Sequence, residues 1–258
     1  LAHDLGHTPF GHAGEHSLNQ TLNEIDTNIG GFNHYEHGLD VVSWLEDIYR
    51  SPGAEEIYGL NLTPETIECI LKHTYHRENE EIGQNTLIRN SKHKDIDSRS
   101  CHLEGQAVRA ADKISYLISD LEDGIRMGVI EIDDLRSCRF FDRPPIDLSI
   151  AQKETLFDRF LSQRRGILKI LMEDILTATD DRLRSMKSLD EIRDSEPYTV
   201  EHSEIIKIEL TEIWDKLQVG RLHKESTVIA ANLRAANVIR DLFILFTLQP
   251  ELVESRFK

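Results

Sequence analysis

Residues Leu103 to Gly124 carry the most regular pattern in the sequence, and that pattern is helical. Apolar residues recur there every three or four positions, which places them on one face of an α-helix. This buried stripe is predicted to contain Leu103, Ala107, Ala110, Ile114, Leu117, Ile118 and Leu121. A polar row runs against it, made of Asp112, Tyr116, Ser119 and Asp123 with Asp120 at its edge. Burying Asp112 among alanines is costly unless a metal or a cation holds it.

The remaining chain is also helical in character, and no run alternates convincingly with a period of two. Thr63 and Pro64 form an N-cap and first-turn pair. The polar segment 77–100 is predicted to be a loop, either a solvated connection or a mobile part of a site. Further helices are expected at about 10–25, 39–49, 65–76, 150–178, 198–217 and 226–248. The sequence therefore predicts an all-α fold.

Pro144 and Pro145 mark the expected boundary between two helical halves. The first half would comprise residues 1–143, and the second, residues 144–258, would be a C-terminal region that is structural or contacts other subunits. The apolar run Leu242–Phe246 is too short to cross a bilayer, so no membrane association is expected.

The opening stretch, LAHDLGHTPFGHAGEH, holds four histidines and two acids in sixteen residues. The adjacent His3 and Asp4 can hold one divalent ion between a nitrogen and an oxygen ligand. Pro9 suits the first position of a new helix. On that helix His12, Glu15 and His16 would share one face. Each histidine alone could be an ordinary surface residue, but their density predicts a functional site.

Composition restricts the partners and the compartment. A net charge of −16 over 258 residues argues against a surface that coats nucleic acid. The three widely spaced cysteines, Cys69, Cys101 and Cys138, suit neither a disulfide framework nor a zinc site. No secretory leader is evident, so we expect a cytoplasmic protein. The chain opens inside a motif without an initial Met, and we expect a fragment of a longer protein.

Two long motifs carry a family resemblance. LAHDLGHTPFGHAGE and the later LEGQAVRAADKISYLISDLEDGIRMG resemble the HD-domain deoxynucleoside triphosphate triphosphohydrolases, the dGTPase-like enzymes. GGFNHYEHGLDVV and LTPETIECILKH also look like that family. The resemblance implies an HD-domain helical bundle, whose catalytic core would be residues 1–143 without the N-terminal part of the domain, and an additional C-terminal helical half. It also implies a homo-oligomer that hydrolyses a dNTP to the deoxynucleoside and tripolyphosphate.

The resemblance also implies a metal site. His3, Asp4 and the distant Asp112 match three of the family's four ligands, and the upstream histidine has no counterpart here. Mixed histidine and carboxylate ligands suit Mn, Fe, Co, Ni or Zn, with Mg less natural.

Catalytic roles follow from the same resemblance. His12 and Glu15 would be the catalytic pair, with Glu15 orienting the imidazole and His12 activating or positioning a water. His7, His34 and His73 would donate hydrogen bonds to phosphate oxygens.

The later motif supplies the expected substrate contacts. Tyr116 would lie against the sugar, and Asp120 would accept a hydrogen bond from its 3′-hydroxyl. Lys113 is a candidate phosphate cation, and Arg109 is either a second one or part of a solvated helix flank. Two alternatives share the metal pair. One is an HD phosphohydrolase acting on nucleoside monophosphates or cyclic nucleotides, and the other is a non-catalytic, dNTP-sensing subunit.

Overall fold

Helices make up the regular structure that the computed structural model describes. The described residues are 2–46, 59–73, 101–152, 154–195 and 198–253. Within these ranges the chain contains α-, 3₁₀- and π-helical segments and no β-strand. The prediction of an all-α fold is therefore confirmed for the described part of the chain.

The first of two compact units comprises Leu1–Cys101 and Ala230–Lys258. Two of its three early helices begin with side-chain caps, because Asn33 accepts a hydrogen bond from the Glu36 amide and Thr63 from the Thr66 amide. The π-helical segment Val41–Leu45 continues the second helix directly. The early helices are α1 (Gly11–Ile25), α2 (His34–Asp40) and α3 (Pro64–Leu71).

The second unit comprises His102–Ile229. A π-helical turn, Trp214–Val219, directly follows its fifth helix. A further helix, α9 (Ser226–Leu248), begins at the end of this unit and continues into the first. The helices of the second unit are α4 (Leu103–Arg126), α5 (Ile132–Arg136), α6 (Leu156–Leu183), α7 (Leu189–Asp194) and α8 (Glu204–Ile213).

The core of the second unit forms where the apolar stripe of α4 meets α6 and α8. Ile118 and Leu121 of α4 are almost fully buried in one cluster with Phe160 and Leu171 of α6 and Ile213 of α8. The cluster leaves the polar row of α4 outside the apolar core, so the helix can present that row to a ligand. α4 thus packs with one face in the core and keeps its polar row, which carries predicted site residues, outside the core.

Several predicted boundaries differ from the structure. The helix expected from residue 150 begins at Leu156, after the capping box of Thr155 and Asp158, and the one expected from residue 198 begins at Glu204. Ala107 of the predicted stripe is exposed, which costs little for so small a side chain. The loop expected at 77–100 lies outside the described residues.

The boundary between the two compact units does not fall at residue 143. The Pro144–Pro145 peptide bond is cis and lies inside the second unit, because α4 and α6 pack against each other across it in sequence. The expected division into a catalytic core at 1–143 and a C-terminal region at 144–258 stays a prediction about function.

Candidate active site

The loop before α1 brings the opening motif against α2. A Cβ atom on Gly6 would overlap the carbonyl oxygen of His34 and the amide nitrogen of Gly38, so only glycine allows this close approach. The loop therefore carries His3, Asp4 and His7 to the start of α2, where His34 lies.

The start of α1 differs from the prediction. Pro9 was expected at the first helical position, but the helix begins at Gly11 after Phe10, which adopts a left-handed conformation with φ of 67°. The turn at Phe10 separates Pro9 from the helix. His12 and Glu15 still share a face of α1, as their spacing predicts, and the ring of the exposed His16 lies 6.5 Å from that of His12.

Glu15 connects two histidines. Its Oε2 lies 2.9 Å from Nδ1 of His12, and its Oε1 lies 2.9 Å from Nδ1 of His34. The backbone amide of His34 also donates to Oε1, at 2.8 Å. An ionised carboxylate only accepts hydrogen bonds, so both Nδ1 atoms carry protons. In the neutral rings the two Nε2 atoms therefore carry the lone pairs.

Glu15 is held in its ionised form. Burial alone would raise the pKa of the Glu15 carboxyl, but hydrogen bonds from His12 and His34 outweigh it and hold the pKa far below its usual range. A buried carboxylate that stays charged at neutral pH can orient an imidazole and balance its positive charge when it takes a proton.

His7 stacks on His34. The ring centroids lie 3.8 Å apart with 10° between the planes. Burial, and then the charge of His34, lower the pKa of His7. Within the described part of the chain, neither His7 Nδ1 nor His34 Nε2, both buried, has a hydrogen-bond partner. Buried polar atoms without partners are uncommon, so these two nitrogens are candidates for ligand contact.

Two groups of possible metal ligands lie near each other. The first contains His7, His12, Glu15 and His34, and the second contains His3, Asp4 and His73. His3 Nε2 lies 3.0 Å from Asp4 Oδ2, and His7 Nε2 lies 3.6 Å from Asp4 Oδ1. One ligand atom from each of His3, Asp4 and His73 falls within 4.8 Å of the others. The group formed by His7, His12, Glu15 and His34 meets the same criterion.

The donor set of the second group fits a divalent metal. Two nitrogen or oxygen ligands bound side by side to one ion at about 2.1 Å lie about 3 Å apart. The separation of 3.0 Å between His3 and Asp4 matches that spacing. Neutral imidazole with a carboxylate is also the chemistry expected for Mn, Fe or Zn.

The polar row of α4 belongs to the second unit. Asp112 is partly exposed, and Lys113 and Tyr116 are exposed. Coordination by Asp112 of the ion that His3 and Asp4 would hold stays a prediction. Arg109, by contrast, is not on a solvated flank, since it is buried with Nη1 3.1 Å from Glu201 and its guanidinium 3.9 Å from the Tyr198 ring.

Tyr116 and Asp120 have partners that the sequence did not predict. Gln218, almost fully buried, donates from Nε2 to Asp120 Oδ2 at 2.9 Å. The ring of the exposed Trp214 lies 6.2 Å from that of Tyr116. Burial and the charge of Asp120 raise the pKa of Tyr116 to about 12, and burial also raises the pKa of Asp120. No local pattern identifies Trp214 or Gln218, because both reach α4 from a distant π-helical turn.

None of the described helices is both long enough and apolar enough to cross a membrane.

Comparison with known proteins gives relatives along the whole chain, whereas no family model matches it. A "Deoxyguanosinetriphosphate triphosphohydrolase-like protein" of Bordetella pertussis is 31% identical over 264 residues, which cover 100% of the chain and 65% of that relative. Proteins of the same description occur in Thiobacillus denitrificans, 31% identical over 96% of the chain and 62% of the relative, and in Rickettsia prowazekii, 30% identical over 100% and 65%. The chain thus spans somewhat less than two thirds of these relatives.

Proposed function

The chain is a relative of the deoxyguanosinetriphosphate triphosphohydrolase-like proteins over its full length, and we propose that it carries the active site of a metal-dependent dNTP triphosphohydrolase. The observation that supports this most is the Glu15 carboxylate bound to both His12 and His34 beside the His3–Asp4 pair. The reaction is hydrolysis of a dNTP to the deoxynucleoside and intact tripolyphosphate.

The proposed metal ligands are His3, Asp4 and, from the second unit, Asp112. A divalent metal bound there would supply positive charge to the α-phosphate and acidity to a bound water. His3 contributes a neutral nitrogen, and the carboxylates offset the charge of the ion. Asp4 also lies within 3.6 Å of His7, so it links the metal group to the histidine cluster.

His12 is proposed to accept a proton from the attacking water. Its Nδ1 proton points at Glu15, so its Nε2 carries the lone pair needed for this step. Glu15 fixes the ring orientation and balances the imidazolium that results. Water attacks the α-phosphorus, the bond from that phosphorus to the 5′-oxygen breaks, and the departing 5′-oxygen takes up a proton from solvent while His12 releases the one it accepted.

His7 and His34 are proposed to face the phosphate oxygens. His34 can donate from Nε2 when its ring is protonated, because Glu15 supplies the opposite charge at Nδ1. The buried Nδ1 of His7 is a second candidate donor. Such donors stabilise the negative charge that develops on the phosphate oxygens as water attacks the α-phosphorus.

Substrate selection is assigned to α4. Tyr116 would lie against the sugar, and its ring would disfavour a 2′-hydroxyl. Asp120 would accept from the 3′-hydroxyl, with its carboxylate held by Gln218. Lys113 is exposed beside Asp112 and would contact phosphate.

Phosphorus product analysis of the full-length protein tests this proposal. Each of the four dNTPs is incubated with Mn²⁺, with nucleoside monophosphates and cyclic nucleotides as competing substrate classes. We expect intact tripolyphosphate from at least one dNTP. Phosphate released only from monophosphates or cyclic nucleotides would indicate a different phosphohydrolase. Binding of dNTP that raises the melting temperature without any product would indicate a sensing subunit.

A further inference from the structure

His73 is far in sequence from the proposed metal ligands His3 and Asp4, but it lies close to them in the structure. Its ring centroid is 4.9 Å from that of His3, and the two ring planes are 76° apart. The residue is 1% exposed. We infer that His73 is a further protein ligand, beside the proposed Asp112, of the ion that His3 and Asp4 would hold, and that it binds through Nε2. This inference rests on the metal site of the proposed function and assigns His73 a role other than the phosphate contact expected from the resemblance.

The hydrogen bond of His73 determines its tautomer. Nδ1 lies 2.6 Å from the carbonyl oxygen of Ile70. A carbonyl oxygen accepts and cannot donate, so Nδ1 carries the proton. In the neutral ring Nε2 therefore holds a lone pair. Histidines that bind metals usually donate their other ring N–H to a backbone carbonyl or a carboxylate in this way, which fixes the ring and makes it more basic.

The same tautomer disfavours a phosphate contact. A phosphate oxygen needs a donor, and the neutral ring of His73 presents no proton at Nε2. A cation is the ligand that matches a buried lone pair. Both the tautomer and the closeness to His3 point to a metal.

The separation of the donor atoms is compatible with one ion. Ligands on a single ion with bonds of about 2.1 Å lie about 3 to 4.2 Å apart. The donor atoms of His3, Asp4 and His73 are all within 4.8 Å of one another. A shift of about half an ångström, within the adjustment that side chains make on binding, brings all three into one coordination shell.

The surroundings of His73 also tolerate a cation. The preceding residue, Lys72, is buried and would repel a metal ion. However, its Nζ lies 2.6 Å from Oε1 of Glu68, which is also buried and offsets the charge. His73 therefore lies just after helix α3 at a place where Lys72 adds no net positive charge.

Two substitutions of His73 test its role as a metal ligand separately from its hydrogen bond to Ile70. In His73→Asn the amide nitrogen can replace Nδ1 and keep the bond to Ile70, but nothing replaces Nε2. In His73→Gln the longer side chain instead reaches toward the ion. His37→Ala removes a histidine of the same unit that lies outside both groups, and His12→Ala removes a proposed catalytic residue that is not a ligand.

The readouts are Mn²⁺ affinity, by calorimetry, and the number of coordinating imidazoles, by pulsed electron paramagnetic resonance of Mn²⁺ in the full-length protein. His73→Asn should weaken Mn²⁺ binding by about tenfold or more and lower the imidazole count by one. His73→Gln should lose less affinity, whereas His37→Ala and His12→Ala should keep both values.

Wild-type affinity and imidazole count in His73→Asn would overturn the inference while leaving the proposed function standing. If the wild-type protein binds no Mn²⁺, both fail. A normal Mn²⁺ site without tripolyphosphate release refutes the proposed function alone.

Discussion

At the scale of single residues, Glu15 determines which nitrogen carries the proton in the rings of His12 and His34. Its carboxylate accepts three hydrogen bonds, from the ring and the backbone of His34 and from the ring of His12. These bonds set the tautomers of two histidines at once, so one acid controls both a proposed base and a proposed phosphate donor.

Glu15→Gln should lower kcat by about a hundredfold or more, because the amide cannot balance an imidazolium and cannot accept from both rings. Its Mn²⁺ affinity should stay near the wild-type value. The matched control is Glu24→Gln on the same helix, an exposed residue outside both groups. Steady-state kinetics with a dNTP and calorimetry with Mn²⁺ supply both numbers. A kcat within twofold of wild type would remove Glu15 from the mechanism.

Tyr116→Ala should narrow the preference for a dNTP over the matching ribonucleotide by about tenfold, because the ring no longer meets the 2′-hydroxyl. Tyr116→Phe keeps the ring and should keep the preference. The measurement is kcat/KM for the two triphosphates. Unchanged discrimination in Tyr116→Ala would place the sugar elsewhere.

At the scale of helices, α4 is anchored to the segment before α8 by the ion pair of Arg109 with Glu201. The positive charges of Arg109 and Lys113 outweigh burial and lower the pKa of Glu201. An acid with a lowered folded-state pKa stabilises the fold above its unfolded-state pKa. That stabilisation is lost as the pH falls through the folded-state value.

Glu201→Gln should lower the free energy of unfolding by about 3 kcal/mol at pH 7, because it leaves the buried Arg109 without its counter-charge. The loss should be full above the ordinary glutamate value of 4.5 and should shrink below it. Urea denaturation at several pH values measures both effects. Glu204→Gln, an exposed neighbour, should change stability by less than about 0.5 kcal/mol. A loss independent of pH would contradict the ionic explanation.

The presence of most helices and the His12–Glu15 pairing, though not every helix boundary, could be predicted because their causes are local. The stripe of α4 and the cap at Thr63 depend on residues within one or two turns. The contacts of His73 with His3 and of Gln218 with Asp120 could not be predicted. They join segments far apart in sequence, and neither histidine spacing nor a lone glutamine indicates its partner. The start of α1 was missed because the turn at Phe10 uses a left-handed backbone conformation that is uncommon for phenylalanine.

At the scale of the whole molecule, binding of one ion by His3, Asp4 and Asp112 stays a prediction. His3 and Asp4 belong to the first compact unit and Asp112 to the second. The net charge of −16 favours binding of a cation but opposes binding of an anionic nucleotide, so in the proposed function a bound metal and Lys113 would have to receive the triphosphate. Assembly into a homo-oligomer stays a prediction.

Mn²⁺ should raise the melting temperature of the metal-free full-length protein, since a ligand that binds only the folded state stabilises it by about 2.7 kcal/mol at a hundred times its Kd. Asp112→Asn should lose most of that gain. Asp123→Asn, an exposed acid on the same helix, should keep it. Thermal denaturation with and without Mn²⁺ gives the comparison. An equal gain in Asp112→Asn would show that the second unit supplies no ligand there.

Hydrolysis in ¹⁸O-labelled water tests the central claim most directly. Full-length protein, Mn²⁺ and dGTP are incubated in the labelled water, and the masses of the products are measured by mass spectrometry. Water that attacks the α-phosphorus leaves one ¹⁸O atom in intact tripolyphosphate and none in deoxyguanosine. Label in the deoxyguanosine, or label found only in pyrophosphate or orthophosphate, would contradict the proposed reaction.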